Sequence, residues 1–100
     1  MSETSTFVYV LRLVNPESFG CMSPQDEAII DTHFEYLKKT LAKGKLTLAG
    51  RCVGGEFGIV IFQAESEEQA EDFMKNDPAV KKGVMTADLH PFRIALVRTS

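Results

Sequence analysis

Two histidines, His33 and His90, are the side chains of this sequence that change charge near neutral pH. Either could move a proton as general acid or base if a partner fixed its tautomer. His33 lies beside Phe34 and one turn before Leu37. That setting also suits an inert helix histidine, hydrogen-bonded at the edge of a core. Asp26, Asp31 and Glu35 are local carboxylates, but helix residues one or two positions apart do not face each other. Asp77 is distant in sequence, within "KNDPAVK" (Lys75 to Lys81). An Asp-Pro pair suits helix termination and an Asx-type turn. Asp77 therefore has two readings, a helix stop or the partner of His33.

The other reactive residue types lack a constellation. His90 adjoins Pro91 in a strand-like segment and is read as structural or surface. The histidines and the two cysteines, Cys21 and Cys52, are not at metal-ligand spacing. Two cysteines are too few for a disulfide scaffold, so both are read as thiols in a reducing compartment. "GGEFG" (Gly54 to Gly58) joins two strands and opens no helix, so it fails the context of a phosphate loop. Glu65, Glu67, Glu68, Glu71 and Asp72 read as a solvated face at the start of a helix, where acidic groups complement the dipole.

The totals bound the setting of this chemistry. One hundred residues with 44% hydrophobic and 25% charged side chains indicate one compact globular domain over residues 1–100. A net charge of −3 argues against non-specific nucleic-acid binding, which relies on clustered Lys and Arg. The opening "MSETSTFVYV" has neither the basic n-region nor the long apolar run of a secretory signal. No apolar stretch approaches the length of a membrane span. A cytoplasmic location is the expectation.

The elements that must position the candidates follow from periodicity. "TFVYVLRLV" (Thr6 to Val14), rich in β-branched and aromatic residues, reads as a strand. Ser23 caps a helix running to about Ala42, with Ile30, Phe34, Leu37 and Leu41 as its apolar face. "KLTLAGRCV" and "FGIVIFQA" read as strands joined by a tight hairpin on Gly54 and Gly55. Ser66 caps a second helix that fades near Asn76, because Pro78 disfavours helical backbone at Asp77. "VMTADLHPFRIALVR" is extended, and Pro91 suits an edge strand. The order β-α-β-β-α-β predicts an α+β, ferredoxin-like sandwich, a four-stranded antiparallel sheet with two helices on one face. Its strands are apolar on both sides, Val8, Val10 and Val14 opposing Phe7, Tyr9, Leu11 and Leu13. A second copy of the chain is the simplest cover for the face the helices leave open.

Three blocks carry a resemblance. "HFEYLKKTLAKGKLTLAG" (His33 to Gly50), "SEEQAEDFMKNDPAVKKGV" (Ser66 to Val84) and "LHPF" (Leu89 to Phe92) occur in the order found in YCII-related proteins of the dimeric α+β barrel superfamily. The chain resembles that family from Thr6 to about Val97. The resemblance implies a homodimer through the sheet and a His-Asp active site falling on His33 and Asp77. It is similar on one branch to dehydrochlorinases of chlorinated hydroxyquinols, and the superfamily includes isomerases and monooxygenases acting on small cyclic molecules. The departure is in the first loop, "NPESFGCM", expected to reshape one wall of the pocket. The expectation is a small enzyme without cofactor or metal. In it, His33 performs acid/base chemistry (elimination, isomerisation or hydrolysis) on a small cyclic or aromatic substrate, and Asp77 orients it. The competing expectation is a non-catalytic dimer that binds a small ligand or a protein partner. Neither nucleic acid nor membrane is expected as a partner.

Overall fold

A computed structural model describes residues 4–98. Strand β1 (Ser5–Leu13) leads through a 3-10 turn (Pro16–Ser18) to helix α1 (Pro24–Ala42). Strands β2 (Leu46–Arg51) and β3 (Gly58–Ala64), helices α2 (Glu67–Lys75) and α3 (Pro78–Lys81), and strand β4 (Met85–Pro91) follow. The sheet order is β2-β3-β1-β4 and every pairing is antiparallel. The fold is the expected α+β ferredoxin-like sandwich, with one short helix, α3, that sequence periodicity did not reveal. Four residues are too few to show a helical period.

Strand alternation sorts the sheet into two faces. Phe7, Tyr9, Leu11, Val60 and Phe62 point towards the helices and join Leu37 of α1 and Ala70 of α2 in the core. Phe62 is the hub. Its ring lies 5.7 Å from that of Tyr9 and 4.6 Å from that of Phe73. Burying one such ring is worth about 1.5–3 kcal/mol before edge-to-face terms are added. Val8 pairs with Ile61 and Val10 with Ile59 on the opposite face, which carries no helix.

Ser23 caps α1 as expected, its Oγ accepting from the Asp26 amide at 3.1 Å. The buried stripe of α1 differs from the one expected. His33 and Leu37 are its buried residues, while Phe34 and Leu41 are more than half exposed. The helix is rotated because polar groups on its inner side find partners. Tyr36 donates to the Phe73 carbonyl at 2.7 Å and stacks on the Phe73 ring. A buried polar group so satisfied costs little, and an apolar stripe alone then no longer decides the rotation.

The β2–β3 connection is also wider than a two-residue hairpin. It spans residues 52–57, closed by the Cys52 amide on the Phe57 carbonyl at 2.8 Å. Of the two glycines only Gly55 has positive φ, at 79°. A Cβ there would come within 2.6 Å of the Phe19 ring, so this glycine also lets the first loop pack against the hairpin. Strand β4 is an edge strand and Pro91 ends it, consistent with a residue that has no amide hydrogen to donate.

Candidate active site

Asp77 is fully buried and stands where α2 has ended and α3 begins. It is the N-cap of α3, its Oδ1 accepting from the Ala79 amide at 3.0 Å. Pro78 fits the first position of that helix, where a missing amide hydrogen costs nothing. The same Oδ1 lies 2.6 Å from His33 Nδ1, which α1 presents from 44 positions earlier. Oδ2 accepts from the Tyr9 hydroxyl at 2.6 Å. The helix-capping role and the partnership with His33 are thus carried by one carboxylate.

The hydrogen bonds determine the tautomer. An ionised carboxylate accepts only, so Nδ1 carries the proton and donates it to Asp77. Nε2 is then the ring nitrogen left to exchange a proton. His33 is only 6% exposed, yet its ring contributes to the wall of a cavity of about 240 Å³. Among the described residues no sealed side-chain nitrogen or oxygen lacks a partner, so Nε2, which no protein group bonds, meets accessible space.

That cavity lies between α1, the sheet and the two loops. Leu11, Leu37, Val60 and Met85 form its base, and Ile30 and Phe34 its helix side. Phe19 and Met22 close it from the first loop. Apart from His33, the one charged or hydrogen-bonding side chain in the lining is Arg51.

Of the candidates singled out from sequence, His33 and Asp77 are brought together. His90 is exposed on β4 opposite Val8, far from this face of the sheet. Cys21 and Cys52 are both free of a disulfide, and Cys21 Sγ donates to the Glu17 carbonyl at 3.1 Å. Tyr9 and Arg51 were missed as site residues. Tyr9 had a readable signal, a hydroxyl on the core-facing side of a central strand, which must find a partner when buried.

Burial raises the Tyr9 phenol far above its ordinary 10.0, and the Asp77 charge and hydrogen bond add to this. Burial, then the same charge, pushes Tyr36 up to about 12. Both phenols resist ionisation in the folded state, so above pH 10 the unfolded chain releases protons that the folded chain keeps. Stability is therefore whole below the unfolded value of 10.0 and falls as pH rises beyond it. Spectrophotometric titration should show no tyrosinate near pH 10 while the chain stays folded. Ionisation of both tyrosines at the ordinary value without unfolding would contradict the Tyr9–Asp77 contact.

The YCII-related domain matches residues 6–92. No curated protein matches the chain. Among solved structures it is similar to 5-chloro-2-hydroxyhydroquinone dehydrochlorinase from Burkholderia phenoliruptrix, in complex with 2,5-dihydroxybenzoquinone. The TM-score is 0.62 at 22% identity, over 87% of this chain and 93% of that one, a likeness of fold. The family match runs through both His33 and Asp77 and over most of the sequence, and this chain belongs to the YCII-related family.

Proposed function

We propose that this YCII-related protein is a small enzyme in which His33 exchanges a proton with a small cyclic or aromatic substrate. The observation that carries this is one ring with two environments. Nδ1 is locked on a buried carboxylate, and Nε2 has no protein partner on a residue that lines an apolar cavity. Asp77 orients the imidazole and stabilises its protonated form, the role of a buried acid beside a catalytic histidine. Tyr9 and the Ala79 amide hold that carboxylate in turn. The cavity suits one ring, since about 150 Å³ already accommodates benzene. Elimination, isomerisation and hydrolysis each use such a proton transfer. Elimination has added support from the solved dehydrochlorinase that shares the fold. There Nε2 would take a hydroxyl proton from a keto tautomer of the ring, the O–H pair would become a carbonyl as the ring double bond shifts, and halide would leave from the saturated carbon, giving a quinone. The test is halide release from chlorinated hydroxyquinols by the wild-type protein and by His33→Gln.

We further propose that the working unit is a homodimer closed through the helix-free sheet face. Val10 and Ile59 are half-buried there, and Leu48 is 46% exposed. Sedimentation at micromolar concentration should give twice the 11.1 kDa chain mass. A stable particle of one chain mass would sink this assembly.

A further inference from the structure

Arg51 ends β2 and pairs with Gly58 of β3. Gly58 pairs on its other side with Leu11, whose side chain is in the core. Alternation therefore turns the Arg51 side chain to the helix side of the sheet, the side on which His33 lies. Its Nη1 donates to the carbonyls of Cys52 at 3.1 Å and Val53 at 3.2 Å. The guanidinium lies 5.2 Å from the centroid of the Phe19 ring, another wall of the cavity. These contacts hold the head group in place without neutralising it. Among the described residues Arg51 forms no ion pair, whereas Arg12 has Asp88 at 3.9 Å. Nε and Nη2 make no hydrogen bond to the protein among the described residues, and the residue opposite Arg51 on β3 is a glycine.

We propose that Arg51 is the specificity-determining residue of the cavity and that it selects anionic ring substrates, carboxylates or ring oxyanions. This rests on the reading of the cavity as a substrate site. An apolar wall alone favours the neutral amide over the carboxylate, because burying an unpaired charge costs more. A fixed guanidinium reverses that preference, because its planar fork matches two oxygens that share a negative charge. The anion sits at Arg51 on β2, and the apolar ring reaches between the two loops towards His33 Nε2. His33 then meets a ring whose orientation the charge has set.

Calorimetric binding of benzoate and benzamide, the same ring with and without the charge, tests this. Benzoate should bind about ten-fold or more tightly than benzamide, since hydrogen bonds to charged groups are the stronger ones. Arg51→Gln should abolish that difference and leave benzamide unchanged. In the wild type, added salt should weaken benzoate alone. Equal binding of the two ligands, no binding of either, or an anion preference that survives Arg51→Gln overturns the proposal. A merely structural Arg51 that ties the Cys52–Val53 loop predicts no preference for benzoate. His33→Gln separates the two readings. A benzoate preference retained in that variant upholds the anchor. Halide release unaffected by it would overturn the catalytic role alone.

Discussion

Asp77→Ala should lower the stability of the fold by about 3–5 kcal/mol, the cost of removing one partner from a buried charged contact. Denaturant unfolding followed by circular dichroism would read it, and for a chain of this size the melting temperature should fall by more than about 10 °C. The cause is a side chain that three donors share. Without it His33 Nδ1, the Tyr9 hydroxyl and the Ala79 amide all lose their acceptor inside the core. Each orphaned group costs about 1–3 kcal/mol, and a cavity is left as well. Asp77→Asn keeps the shape and an acceptor oxygen, so it should cost clearly less. Tyr9→Phe should fall between wild type and Asp77→Ala, because it strands only Oδ2. If Asp77→Ala melted with the wild type, the hydrogen-bonded centre described above would be wrong.

His33→Gln should reduce turnover of a ring substrate by about 10²–10⁴-fold, the usual contribution of one positioned acid/base. Glutamine has amide hydrogens to offer Asp77, so the buried carboxylate keeps a donor and the fold should hold. What it cannot do is take up a proton at the cavity side. The loss should therefore fall on kcat, with KM nearly unchanged. Asp77→Asn should also lose activity while His33 is intact, because a neutral amide no longer stabilises the imidazolium or selects the Nδ1–H tautomer. Turnover by folded His33→Gln within a few-fold of wild type would remove the histidine from the chemistry.

Local sequence was enough for the parts of this protein that depend on neighbours along the chain. Ser23 and Ser66 cap the two main helices as their spacing to Asp26 and Gln69 required. Pro91 ends an edge strand, and two βα units around a hairpin led to the four-stranded antiparallel ferredoxin-like sheet observed. Tertiary structure decided what depends on long-range satisfaction of polar groups. The sequence could not choose between Asp77 as a helix stop and as a partner. In the fold it caps α3 through a backbone amide and at the same time accepts from two side chains far away in sequence. The rotation of α1 has the same origin. Apolar periodicity favoured Phe34 and Leu41, yet His33 is buried because a buried carboxylate satisfies it, while both apolar residues remain largely exposed. Arg51 reads locally as a strand-end cation, and only the pairing of β2 with β3 turns it towards the cavity that His33 shares. Apolar spacing records which residues prefer to leave water. It does not record which buried donor will meet which buried acceptor, and those meetings made the site.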